Sequence, residues 1–330
     1  MSRLQETERL PVVGIDYPCL DYVVEIARIP ETNDEVDIDN DSWQGGGMVP
    51  TALVALGRLG APSGMIGVVG SDAYGACCLK DLRRHGVDTS MVIIDEGGTT
   101  DFCISLAEGC THGRSFLTRW GSRRNLEPSE LPAAYITQAR YLHLCIEMNA
   151  LNVAAAKIAR AAGTKVVIDA DHYSELTQEH LELIDVFIAS EKYFKVICAG
   201  RTAEVVCREI LEAGPEIVVF TMGAKGCVGM DRQGFFTLDA FHPGPIVDTT
   251  GAGDVFHGAF IYGLLDGRST LECARLASAT ASIKCLRLGG RAGIPDLKTV
   301  THFLETGEVL QSDFPERECY YRENLLTPES

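Results

Sequence analysis

The sequence predicts an α/β fold whose mostly parallel central sheet is covered by helices on both faces, with a small extra β-sheet beside it. Three patterns lead there. Short apolar runs recur along the chain and stop at turn-forming residues. Most are followed by a stretch with helical periodicity. Two segments instead alternate apolar and polar residues with no helix between them. Strands buried on both faces read as continuous apolar runs, whereas half-exposed strands alternate.

Residues 10–13 read as a buried strand ending at Gly14, and residues 64–69 as a second. A helix over 74–85 follows, with Leu79 and Leu82 on one face. The strand at 141–145 precedes an alanine-rich helix over 149–162. Strands come next at 165–168, ending in Asp169, and at 186–189. A helix over 204–212 leads into a β-branched strand at 217–221. The exceptions are 21–41 and 99–118, with alternation in Tyr22-Val23-Val24-Glu25-Ile26 and Phe102-Cys103-Ile104-Ser105-Leu106. They predict lid strands inserted into the main domain, serving as a cover or as a surface for homodimerisation. No Pro/Ser-rich linker and no repeat divides the chain, so residues 1–330 are read as a single domain. The polar tail over 306–330, with its Tyr320-Tyr321 pair, receives no role.

Bulk properties exclude some function classes. A formal charge of −17 argues against a nucleic-acid partner, because neutralising phosphates requires a basic surface. No apolar run approaches the roughly 18 residues of a membrane span, and no apolar signal-peptide core follows the polar N-terminus, so a cytoplasmic protein is expected. The twelve cysteines contain no C-x-x-C spacing, and most sit in apolar runs as small hydrophobes, reading as reduced thiols.

Chemistry concentrates in Val247-Asp248-Thr249-Thr250-Gly251-Ala252-Gly253-Asp254. The residues after it are helical by periodicity, with Val255, Phe256, Ala259, Phe260 and Leu264 on one face, which puts the small residues at a helix N-terminus. There the backbone N–H groups lack partners and the helix dipole is positive, so a phosphate can approach closely. An aspartate at that point repels an anion but suits a base for an incoming hydroxyl beside a transferred phosphoryl group. Two further clusters stay open from the residues alone. Trp43-Gln44-Gly45-Gly46-Gly47 fits ligand approach or a plain strand–helix turn, and Thr221-Met222-Gly223-Ala224-Lys225-Gly226 fits a nucleotide loop or a hairpin. Neither a P-loop nor a dinucleotide fingerprint is present, which disfavours a dehydrogenase.

The stretch Asp248 to Asp254 resembles the C-terminal signature of the ribokinase-like (PfkB-type) carbohydrate kinases. Gly46-Gly47 through Arg58-Leu59-Gly60, then Gly67-Val68-Val69-Gly70-Ser71-Asp72-Ala73-Tyr74-Gly75, resembles the N-terminal one. Order and spacing match over roughly residues 10–305. The resemblance implies a ribokinase-like three-layer α/β/α domain with a β-sheet lid, using ATP and Mg²⁺ to phosphorylate a sugar hydroxyl. It implies Asp254 as catalytic base and the backbone of Gly251, Ala252 and Gly253 as anion hole. Asp21, Gly46, Gly47 and Thr51 would hold the acceptor, with Asp16 a lesser competitor to Asp21. Ser190, Thr221, Gly223 and Gly226 would line the nucleotide. Asp248 and the Thr250 carbonyl, with backbone near Gly290, would be ligands of a monovalent cation, K⁺.

The sequence departs from that family in places. Thr51 stands where an Asn is usual. The N-x-x-E motif reads Ser190-Glu191-Lys192-Tyr193, without the final acid, which leaves either Glu191 to reach Mg²⁺ through water or metal binding to rely on ATP itself. D-P-N-x-R reads Asp169-Ala170-Asp171-His172-Tyr173, without the arginine of acid-sugar kinases. Arg114, Arg119, Arg123 and Arg124 offer either a site for an anionic substrate group or surface charge. His257 and His172 receive no role. Alternatives to a sugar kinase are a nucleoside kinase of the same superfamily and a non-catalytic sugar- or nucleotide-binding protein.

Overall fold

The computed structural model describes residues 10–110, 113–312 and 314–327. Its strands are β1 (Val12–Ile15), β2 (Cys19–Ile26), β3 (Ile38–Gly46), β4 (Ser63–Gly70), β5 (Val87–Asp95), β6 (Asp101–Glu108) and β7 (Arg114–Arg119). The second half adds β8 (Tyr141–Cys145), β9 (Lys165–Ala170), β10 (Val186–Ser190), β11 (Ile217–Thr221), β12 (Cys227–Asp231) and β13 (Gly234–Leu238). The helices are α1 (Met48–Leu59), α2 (Ala73–Arg84), α3 (Ala133–Thr137), α4 (Ala150–Ala161), α5 (Glu175–Glu179) and α6 (Glu191–Cys198). They continue with α7 (Ala203–Ala213), α8 (Ala252–Leu265), α9 (Thr270–Lys284), α10 (Leu297–Thr306) and α11 (Phe314–Cys319).

Nine strands form one sheet in the order β13-β12-β11-β10-β9-β8-β1-β4-β5. From β11 to β5 every pairing is parallel; β12 and β13 close the other edge by antiparallel pairing. Parallel strands need both faces covered, and the buried side chains alternate accordingly. Val12, Val167, Ile188 and Val219 face a cluster built with α1, α8, α9 and α10. Their neighbours Val13, Val166, Phe187 and Val218 face another, built with α4 and α7. The two expected lid segments form a separate four-stranded sheet, β3-β2-β6-β7. Its β2–β6 pair is parallel and its other two are antiparallel.

Helix α8 differs from the amphipathic helix expected. Its residues from Val255 to Gly263 are buried on all sides, because it lies between α1 and α9 rather than on the surface. Gly258 allows the approach to α1: a Cβ there would lie 2.2 Å from the Ala52 carbonyl oxygen.

The tail also has a place. Phe314 is buried in the core, and Tyr320, Tyr321 and Leu325 pack with Leu20, Cys77, Cys78 and Ala292. The Lys80 ammonium on α2 donates to the carbonyls of Asn324 (2.8 Å) and Thr327 (2.7 Å). Four apolar anchors in a polar stretch dock this segment where composition alone gave no sign. Truncating the Tyr321 side chain by Tyr321→Ala is expected to cost about 3–5 kcal/mol, as for other buried aromatics. Urea unfolding measures it, and a loss within error of zero would mean the tail is not docked.

Candidate active site

The chain enters α8 through a tight turn over residues 248–251. Gly251 caps the helix with φ 73°, a left-handed conformation that glycine adopts without strain. A Cβ there would also come within 3.0 Å of Gly290. The Asp248 carboxylate accepts N–H bonds from Thr250 (2.8 Å) and Gly289 (2.8 Å). From below, the fully buried Lys284 ammonium donates to the carbonyls of Asp248 (2.9 Å) and Thr250. Burial works against the Asp248 charge, but the Lys284 ammonium and these N–H bonds outweigh it and hold the carboxyl below its ordinary range. The N–H groups of Ala252 and Val255 find acceptors at Thr249 and Gly251. Among the described residues, those of Gly253 and Asp254 find none. Nothing outside the helix's own turn stands within 4 Å of where a Cβ on Gly253 would be, so this first turn of α8 is uncovered there.

Three aspartates gather at this tip. Asp16 follows β1, Asp169 lies near the end of β9, and Asp254 sits in the first turn of α8; ligands commonly bind beyond the carboxyl ends of such strands. Asp16 is engaged, accepting N–H bonds from Tyr17 (2.7 Å) and Val49 (3.1 Å). Asp169 faces His257, whose Nδ1 lies 3.3 Å from its Oδ2 and 2.8 Å from the Gly253 carbonyl. No side-chain hydrogen bond engages the Asp254 carboxylate among the described residues, and its oxygens are not sealed from solvent. Burial, then the charges of Asp169 and Asp16, push the Asp254 carboxyl well above its usual range, against the pull of His257 and Arg114. Burial likewise raises Asp169, with help from Asp171 and Asp16. His257 stacks on buried His143 at 5.6 Å, and burial pushes both imidazoles down, His143 to about 3, so the pair is neutral at pH 7.

The lid meets this turn. Ser105 on β6 lies 3.3 Å from the Thr250 hydroxyl, and Arg114 on β7 donates to the Thr249 hydroxyl at 2.6 Å. Asp21 on β2 lies against Gly46, where a Cβ would sit 2.3 Å from its Oδ2. Burial raises the Asp21 carboxyl to about 6; Asp248 adds to this, while the Cys19 thiol and Arg291 oppose it. Behind the glycines lies Arg291, 1% exposed, which donates to the Gly46 carbonyl (2.9 Å), Thr51 Oγ1 (3.3 Å) and Asp81 (2.6 Å).

With this geometry in view, the sequence pattern of the pfkB family carbohydrate kinases matches residues 7–297. The chain belongs to that family. It is 28% identical over 297 residues to a nucleoside kinase of Methanothermobacter thermautotrophicus, covering 88% of this chain and 94% of the relative. It is 28% identical to a ribokinase of Haemophilus influenzae (86% and 95% covered) and 26% identical to a 5-dehydro-2-deoxygluconokinase of Shouchella clausii (93% and 99%). Its fold matches Arabidopsis thaliana ribokinase complexed with ribose and ATP, at TM-score 0.74, 22% identity, and 90% and 99% coverage. An E. coli protein assigned as ribokinase II, in complex with ATP and Mg²⁺, gives TM-score 0.78, 22% identity, and 89% and 98% coverage. The three-layer fold with its lid, expected from the sequence, is thus that of the pfkB kinases.

The structure brings some of the expected site residues to one end of the sheet and engages others in contacts of their own. Thr221, Gly223 and Gly226 form the hairpin that joins β11 to β12, at the same edge of the sheet as Asp169. The Thr221 hydroxyl donates to the Ala189 carbonyl (3.3 Å). Ser190 caps α6 and donates to the Asp171 carbonyl at 2.5 Å. Glu191, expected to reach Mg²⁺ through water, is instead paired with Lys225 (3.0 Å) and Lys195 (3.1 Å), which lower its carboxyl. Thr51, expected at the acceptor, is buried with its hydroxyl committed to Arg291. Of the ligands expected for K⁺, the Thr250 carbonyl is bound by Lys284, as is the Asp248 carbonyl, and the Asp248 carboxylate is taken by the Thr250 and Gly289 N–H groups. The arginines disperse: Arg123 pairs with Asp101, Arg124 with Glu130, and Arg119 lies over Tyr74 and Phe102, leaving Arg114 to face the turn.

Four residues went unseen as parts of the site: Lys284, Arg291, Asp169 and His257. For Lys284 a signal was available, since a lone lysine between Ile283 and Cys285 in an apolar helix needs a buried partner. For Asp21, the folded chain holds its proton more tightly than the unfolded chain does. Its stability contribution is therefore present below pH 3.8 and lost as pH rises through 6. Asp21→Asn is expected to stabilise the protein by on the order of 2 kcal/mol at pH 8 and to be nearly neutral at pH 4. Denaturant melts at both pH values check this.

Proposed function

We propose that this chain transfers the γ-phosphoryl group of ATP to a hydroxyl of a sugar or sugar-like molecule. One juxtaposition carries the reading: a carboxylate that accepts no hydrogen bond from the described residues, Asp254, beside the open N–H groups at the tip of α8. The acceptor oxygen bonds to the γ-phosphorus as the bond to the β–γ bridging oxygen breaks, releasing ADP. Asp254 takes the hydroxyl proton, and its raised affinity for protons suits that task. The backbone of Gly251, Ala252 and Gly253 receives charge developing on the transferred group. Arg114, which bonds Thr249 and acts on Asp254, adds a positive charge from the lid.

Asp21 and the backbone of Gly46 and Gly47 hold the acceptor, and Thr221, Gly223 and Gly226 flank the nucleotide. Among the described residues no group of three His, Cys, Asp or Glu is arranged to hold a metal. Mg²⁺, when bound, would neutralise phosphate charge and would take most of its oxygen ligands from the nucleotide phosphates and water. The lid supports pairing with a second copy: Phe116, Leu117 and Trp120 are exposed at its edge, Trp120 to 77%. No helix among the described residues is long and apolar enough to cross a membrane.

Relatives act on both sugars and nucleosides, so acceptor class is tested directly. Formation of ADP with a panel of sugars and nucleosides, phosphorylated ones included, is expected to single out one class. ADP at background with every acceptor would favour a binding protein. Asp254→Asn is expected to lower turnover by about 10²–10⁴-fold while leaving nucleotide affinity nearly unchanged. Wild-type turnover in that variant would remove Asp254 from the mechanism.

A further inference from the structure

We propose that Lys284 is a built-in cation of the anion-binding turn: a positioning residue that fixes the turn's polarity and frees it from any exchangeable monovalent cation. The inference rests on the kinase reading for its consequence in catalysis, though not for its geometry. Lys284 is the last residue of α9 and has no exposed surface. A buried ammonium is costly unless its donors are used and its charge is balanced. Balance comes from Asp248, whose charged form it favours. The bonding is not that of a simple ion pair, however. Both Asp248 carboxylate oxygens are taken by N–H groups, of Thr250 and Gly289, while the ammonium bonds to the backbone carbonyls of Asp248 and Thr250.

Those carbonyls decide where the turn's amides point. In a trans peptide the C=O and the following N–H are directed oppositely. Drawing the Thr250 carbonyl down onto Lys284 therefore turns the Gly251 N–H up, toward the side where Gly253 and Asp254 have open amides. The same argument turns up the N–H of Thr249. The underside is pinned as well, because the Cys285 carbonyl accepts from Val247 (2.9 Å) and Asp248 (3.2 Å). Converging carbonyl oxygens beside a carboxylate are hard donors, the set an alkali cation would seek. Here the chain fills that position covalently.

The test measures thermal melting and affinity for a non-hydrolysable ATP analogue and for ADP. Chloride salts of K⁺, Na⁺ and N-methylglucamine are compared at equal ionic strength. Wild type is expected to behave alike in all three. Lys284→Ala is expected to bind the analogue about 10–100-fold more weakly in N-methylglucamine, the usual loss when a supporting group is removed. ADP affinity should fall less. Added K⁺ or methylammonium should recover most of the loss and raise the melting temperature of the variant alone. A wild type that gains affinity or stability with K⁺ overturns the proposal. So does a cooperatively folding Lys284→Ala with wild-type affinity, or one deaf to every cation. Should Lys284→Ala not fold, Lys284→Gln replaces it; full analogue affinity in that variant would show the charge to be dispensable. If wild type binds no nucleotide, the kinase reading fails, and the melting comparison still decides the cation question.

Discussion

The turn ahead of α8 must present bare amides and a carboxylate at one point while lying against the protein interior, and the rest of the site is arranged around that demand. Such a turn cannot be held by hydrophobic packing, which has no direction. It is held by two opposite charges: Asp248, whose carboxylate takes the Thr250 and Gly289 N–H groups, and Lys284, which bonds the carbonyls on either side of Thr249. Gly251 supplies the left-handed bend, and Gly290 leaves the room for it. The helix that follows is buried all round, so the tip has little freedom to shift. Rigidity of this kind is what preorganised electrostatic stabilisation requires.

Around the tip, three carboxylates share a low-dielectric pocket and differ in what they touch. Asp16 gives one oxygen to the Val49 N–H in the first turn of α1 and the other to the Tyr17 N–H, and Asp169 faces His257. Asp254 alone of the three has neither a hydrogen bond nor an ion-pair contact at its carboxylate among the described residues. Burial and its acidic neighbours raise its proton affinity, and the lack of partners leaves it available. The pull of His257 and Arg114 in the opposite direction is outweighed by burial and the neighbouring carboxylates.

Much of this was legible in the sequence because it is local. The parallel strands were visible as β-branched runs, and the strands at 141–145 and 217–221 match β8 and β11. The signature at 248–254 located the tip because bare amides, glycines and an acid must be contiguous to work. What escaped depends on contacts across long sequence separations. Lys284 meets Thr250 only after α8 and α9 fold back on each other, and Arg291 meets Gly46 and Asp81 across the lid. Glu191 read as a candidate metal contact because its partner, Lys225, lies on a different loop. The tail hid for a related reason, since four separated anchors give no periodic signal.

Arg291 also accounts for the change at Thr51. Its guanidinium fills the space behind Gly45 and Gly46, where a Cβ on Gly45 would lie 2.1 Å from Nη1. One donor goes to the Gly46 carbonyl, one to Asp81 and one to the Thr51 hydroxyl. A hydroxyl suffices there because the position answers to a buried arginine, and a short side chain leaves the guanidinium its room. Asp81 in turn lies 3.6 Å from His85, whose ring reaches the Tyr321 hydroxyl at 2.8 Å. The glycine strand that faces Asp21 is therefore braced, through one arginine and one aspartate, by the docked tail. In this chain the glycine strand beside Asp21 depends on residues beyond 290 as much as on the glycines themselves, while the tip of α8 is held independently by Asp248 and Lys284. Changes in the tail can thus reshape the surroundings of Asp21 without disturbing the turn.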